Sequence, residues 1–177
     1  MTYFPHAFEA PVDTLDIGKG RTVTYMVLFL PPELEGQLPF DAHPRLRVEG
    51  EIADMPVRGA WNPVGDGRRY FIVSPQVRKN AGLTVGHMVE MRFRIDDQDR
   101  VDVPIPLMRA IRADADLYAK WTALTAGKQR MYAHHVSGAK TAPTIQRRLN
   151  ECLAALACGM TIRDWQTANK AKQMKTD

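Results

Sequence analysis

The side chains able to do chemistry are few, and their spacing narrows what they can do. Cys152 with a histidine would make a nucleophile and its base. However, Cys152 falls on an apolar stripe with Ile145, Leu149, Leu153 and Leu156, so it reads as a buried thiol. Cys158 follows on the same stretch. Six residues of helix rise about 9 Å, beyond the usual disulfide Cα separation of about 4.4–6.8 Å. Both cysteines therefore read as buried free thiols, suited to a reducing compartment. His134 and His135 are adjacent; helix neighbours diverge by about 100°, so the pair does not share a metal. No pair of Cys-x-x-Cys motifs occurs, which argues against structural zinc. Ser74 sits where a helix cap is expected and Ser137 late in a helix, so no triad forms. Gly18-Lys19-Gly20 and Gly65-Asp66-Gly67 lack the flanks of a phosphate-binding loop and read as turns. No catalytic residue, metal ligand or cofactor site is assigned.

The basic residues are the remaining lead. Lys128, Arg130, Lys140, Arg147 and Arg148 gather around the turn between two expected helices, with Thr144 in the first turn of the second. Helix N-termini and guanidinium groups attract anions, so this is the expected anion- or partner-binding site. The same residues also suit a solvated helix face. A second candidate is a cleft between the two halves of the chain, because pockets favour domain interfaces. Arg58, Trp61 and His87 lie near expected turns and would line it.

These groups must be positioned by two different kinds of structure. Of 177 residues, 45% are hydrophobic and 25% charged, a globular composition that excludes disorder. Residues 1–103 hold 12 Lys/Arg and 15 Asp/Glu, and residues 104–177 hold 12 and 5. The net charges of −3 and +7 suggest that the second half meets something anionic. The longest apolar runs, Tyr25 to Leu30 and Cys152 to Ala157, fall far short of the roughly 20 residues that span a bilayer. The N-terminus carries no export pattern, so the cytoplasm is the expected compartment.

The first half is read as strands. Thr22 to Leu30 is apolar on both faces, like an interior strand. Arg45 to Ile52 and Val89 to Ile95 alternate with period two. Pro56 to Trp61 and Arg69 to Val73 flank the turn-forming Asn62 to Gly67. Val101 and Val103 are expected to start one more strand. Residues 1–15 are left as an extra strand or an arm. Pro75 to Ala81 reads as a short helix, with Ser74 as cap and Gly82 just past its end. The second half changes to helical period, with apolar stripes at Leu107–Ile111, Leu117–Leu124, Met131–Ala139 and Ile145–Leu156. Thr141 and Gly159 bound the last of these, and Thr161 begins a further helix. Trp121, Leu124, Tyr132, Leu149, Leu153 and Leu156 are the expected core. The fold class is therefore α+β: a small N-terminal β-barrel with one short inserted helix, followed by a C-terminal all-α domain. The expected domains are 1–103 and 104–177.

Three stretches carry a family resemblance in the first half: Pro56 to Trp61, Tyr70 to Val73, and Val77 to Leu83 with Val85 to Met91. They resemble a small bacterial β-barrel domain of unknown function. In that family a glycine, aspartate, x, valine turn leads into a long strand; here the turn is Gly86-His87-Met88-Val89, with histidine in the aspartate's place. Ala139-Lys140, Thr144, Arg147-Arg148 and Gly159 resemble the YdeI/OmpD-associated, or bacteriocin-protection, domain. Pro143 stands where that family more often has a helix-favouring polar residue. The order of the two domains matches as well. The resemblance implies neither catalytic residues nor a cofactor. The expected function is a non-enzymatic binding or adaptor protein, envelope- or stress-related, engaging an anionic macromolecule or an acidic protein. The alternative is a small-ligand binder or enzyme using the cleft.

Overall fold

The computed structural model describes residues 3–18 and 20–174. Lys19 of the Gly-Lys-Gly turn lies outside them. The chain divides between Gln98 and Asp99 into two compact units, each with its own hydrophobic core.

The first unit is a curled antiparallel sheet, a half-barrel. Its strands are β1 (His6–Pro11), β2 (Asp13–Ile17), β3 (Val23–Phe29), β4 (Leu46–Ile52), β5 (Met55–Pro63), β6 (Arg69–Ile72) and β7 (Met88–Ile95), in the order β1-β7-β4-β5-β6-β3-β2. The alternation read in the sequence sets which face is buried. In β4, Leu46, Val48, Gly50 and Ile52 are buried and the residues between them are not. In β7, Val89, Met91 and Phe93 point inward. Residues 6–17 form the two outermost strands, parted only by Val12. Val12 is buried; its N–H donates to the His87 carbonyl (2.8 Å) and its carbonyl accepts from Gly86 N (2.8 Å). The Gly86-His87 turn thus holds the bend between β1 and β2. Gly86 takes φ +90°, a conformation that side chains with a Cβ disfavour.

Two short helices interrupt the strands, where one was expected. α1 (Pro32–Glu35) is a single turn; α2 (Pro75–Asn80) is capped by Ser74, whose hydroxyl accepts from Val77 N at 3.3 Å. The strand expected at Val101 and Val103 does not form. A new strand needs a free ladder edge, and both edges of β7 are already paired, with β1 and with β4. Pro104 then leads into a helix.

The second unit holds α3 (Ile105–Arg112), α4 (Ala115–Thr122), α5 (Ala126–Ser137), α6 (Ala142–Ala157) and α7 (Ile162–Gln173). Local chemistry sets their ends. Asp114 accepts from Asp116 N and Leu117 N at the start of α4. Thr125 and Thr161 cap α5 and α7 through their hydroxyls. Gly159, at φ +65°, donates to Leu156 O, and Met160 N donates to Ala155 O (both 3.0 Å). That pair of bonds closes α6 in a Schellman motif. Trp121, Tyr132, Leu149 and Leu156 are buried in the core as expected, while Leu124 and Leu153 pack against it half-buried. Trp121 and Tyr132 meet edge-to-face at 6.2 Å. Among the described residues, no helix is long and apolar enough to cross a membrane.

Candidate functional site

The basic residues of the helical unit fall into two groups. Lys128 and Arg130 lie in the first half of α5, whereas Lys140, Thr144, Arg147 and Arg148 surround the α5–α6 turn. About 14 Å of helix separates Lys128 from the C-terminal end of α5, so the single cluster expected around the turn is two.

At the turn, the arginines are engaged within the protein. Arg148 Nη1 donates to the His135 carbonyl at 2.8 Å, and Arg147 Nη1 reaches Glu151 Oε1 at 2.6 Å. A Cβ at Gly138 would meet that Arg148 nitrogen at 3.1 Å, so glycine makes room for the guanidinium. Thr144 Oγ1 accepts from the Thr141 hydroxyl at 2.8 Å. Arg130 Nη1 donates to Arg100 O at 3.1 Å. Lys128 and Lys140 remain exposed.

Glu151 is the hub that sequence reading missed. Its carboxylate accepts from His135 Nε2 (2.8 Å) and Gln166 Nε2 (3.0 Å) as well as from Arg147, joining α5, α6 and α7. Burial alone would push this carboxyl up. The hydrogen bonds from His135, Gln166 and Arg147 outweigh it and hold the group below its usual range. The Arg147–Glu151 spacing of four was a legible signal; the His135 and Gln166 contacts come only from packing. The cluster borders an open groove of about 620 Å³, walled by Gln146, Asn150, Trp165 and Asn169.

The cysteines differ from each other. Cys152 is buried, donates to the Tyr132 carbonyl at 3.7 Å, and burial pushes its thiol up to about 12. It stays protonated at neutral pH, and a thiol is a poor nucleophile. Cys158, expected to be buried, is exposed, because it is the C-cap residue beyond the apolar stripe of α6.

Arg58, Trp61 and His87 are not brought together. Residues three apart in a strand face opposite sides of a sheet. Trp61 is fully buried, edge-on to Phe71 (5.6 Å) and Phe93 (5.7 Å). Arg58 is on the outer face, 2.6 Å from Glu49 and 3.2 Å from Asp96. Arg94 from β7 also binds Glu49, at 2.7 Å. Hydrogen bonds from these two arginines hold the Glu49 carboxyl below its usual range. The three side chains and Val57 border a shallow hollow of about 370 Å³. His87 stands at the far end of β7, roughly 23 Å of strand from Arg94. Its Nδ1 accepts from Thr84 N at 3.4 Å, an acceptor position that an aspartate would also fill. The histidine therefore serves the turn. Among the described residues, no group of three or more His, Cys, Asp or Glu could hold a metal ion.

Comparison with known families agrees with this two-unit architecture. Residues 8–93 match the family model described as a domain of unknown function (DUF1905). Residues 100–159 match the model described as bacteriocin-protection, YdeI or OmpD-associated. No curated protein matches the chain. Each match falls within one unit, in the expected order, and the second ends before α7: the chain is similar to a DUF1905 domain followed by a YdeI/OmpD-associated, bacteriocin-protection domain.

Proposed function

We propose that this protein is a non-enzymatic binding or adaptor protein whose basic helical domain engages an anionic partner. One observation carries the reading: four acidic side chains of the helical unit serve local structure. Asp114 caps α4, Asp164 accepts from the Thr161 hydroxyl, Glu151 binds three partners and Asp102 pairs with Arg100. Arg109, Arg112, Lys128, Lys140, Arg163 and Lys170 are exposed and make no ion pair among the described residues. The positive charge is therefore left for something outside the chain, and a polyanion is the simplest occupant. A cleft lined by Arg58, Trp61 and His87 has no support from their geometry.

The reading extends to three finer points. The sheet closes as a barrel, supported by β1 and β2 being one segment bent at Val12. The compartment is reducing, in keeping with an exposed Cys158 thiol. The role belongs to envelope or stress physiology, as the family's description suggests.

Fluorescence anisotropy with labelled duplex DNA and single-stranded RNA, at low and moderate salt, tests the proposal. Binding should fall steeply as salt rises, through counterion release. The Lys128→Glu, Lys140→Glu double variant should weaken it further. Absence of binding at low salt would reject the reading.

A further inference from the structure

The helical unit contains a second feature, an apolar pocket of about 220 Å³ between α4, α5 and the α6–α7 connection. Leu124, Met131, Tyr132, Leu156 and Met160 supply its walls. Met131 and Met160 are 39% and 43% exposed, so the walls are open to an occupant. Methionine adapts its shape to varied apolar groups. The Tyr132 hydroxyl donates to the Met160 carbonyl at 2.6 Å, which fixes the floor and leaves the phenol engaged. Among the described residues, Lys120 and Lys128 are the charged residues that line the pocket, and no carboxylate does. Lys120 Nζ donates to the Ala157 carbonyl, which anchors its ammonium beside the cavity. Lys128 stands in the first turn of α5, where the helix's positive end adds to the same field.

An apolar cavity with a few convergent polar groups is the usual form of a small-molecule site. This one is smaller than the roughly 300–1,000 Å³ of drug-sized sites. We infer that the pocket binds a small amphipathic organic anion, a short acyl or aryl carboxylate, with its apolar body against Leu124, Met131 and Met160 and its carboxylate at Lys128. This site is separate from the proposed polyanion contact, sharing only Lys128.

The test is methyl NMR of the full chain labelled at methionine, titrated with sodium octanoate. Met131→Leu and Met160→Leu variants assign the two signals. Both signals should shift and saturate. Octanol should bind at least about tenfold more weakly, the scale of one lost charge-assisted contact. Lys128→Glu should cost a similar factor. Lys140→Glu, which lies outside the pocket, should leave octanoate binding unchanged while weakening polyanion binding. Ala123→Phe, at an exposed rim position, should block binding without disturbing the core. The inference fails if millimolar octanoate gives no saturable shift, or if octanol or octylamine binds as tightly. It also fails if Ala123→Phe leaves binding intact, or if Lys140→Glu weakens binding as much as Lys128→Glu.

Discussion

Ala53 and Asp54 turn β4 into β5 with φ of +49° and +59°. Ile52 pairs directly with Met55, so the loop has two residues and is a type I′ turn, which needs φ above zero at both positions. Alanine is a poor choice there, because its Cβ crowds the following carbonyl at a cost of about 1–2 kcal/mol. Asparagine accepts the conformation more readily. Ala53→Asn should therefore stabilise the sheet by about 1 kcal/mol, raising the thermal midpoint by about 4 °C or more. Circular dichroism of the β signal measures it, and an unchanged or lowered midpoint would show that the turn carries no strain. The hairpin was illegible in sequence for the same reason: Ala-Asp is not a turn signature, and the reading ran Arg45–Ile52 and Pro56–Trp61 as separate strands. Arg58 and Trp61 stand three residues apart in β5, and that spacing places them on opposite faces rather than in one cleft.

The helices of the second unit meet at Glu151, and the charge there acts on stability with a defined sign. Its folded carboxyl lies below the ordinary range. The stabilisation is therefore fully present above the unfolded pKa of about 4.3 and is lost as pH falls through the lower folded value. Glu151→Gln keeps the shape and removes the charge, and should cost about 1–2 kcal/mol at neutral pH. Urea midpoints of wild type and variant should converge as the solution is acidified. A gap that stays constant into strong acid would mean that shape, not charge, joins α5, α6 and α7. The elements themselves were largely legible, because caps such as Ser74, Thr161 and Gly159 and the stripe of α6 are local signals. Which cations are engaged was not legible. His135 and Glu151 are sixteen residues apart in the chain, and only packing joins them. The strand at Val101 had local propensity and was overridden by a sheet with no free edge beside β7.

At the scale of the whole molecule, charge and structure divide at nearly the same place. Among the described residues, the sheet unit pairs six of its nine arginines with carboxylates, several of them across neighbouring strands, such as Arg58 and Arg94 with Glu49 and Arg92 with Glu51. Cross-strand pairs of opposite charge add modestly to sheet stability, and they leave little field for a distant anion. In the helical unit, six exposed cations make neither an ion pair nor a side-chain hydrogen bond among the described residues. If these make the contact, polyanion affinity belongs to one unit alone. Residues 99–177 expressed separately should retain binding to duplex DNA, and residues 1–98 should show none. The number of cations also limits the salt dependence. Each neutralised phosphate contributes about −0.9 to the slope of log K against log salt. Six contacts thus set a bound of about −5, and a single face of the unit would present fewer. A slope within that bound, carried by residues 99–177, would tie the affinity to these side chains. A steeper slope, or binding that needs both halves of the chain, would place the contact on groups that are otherwise paired.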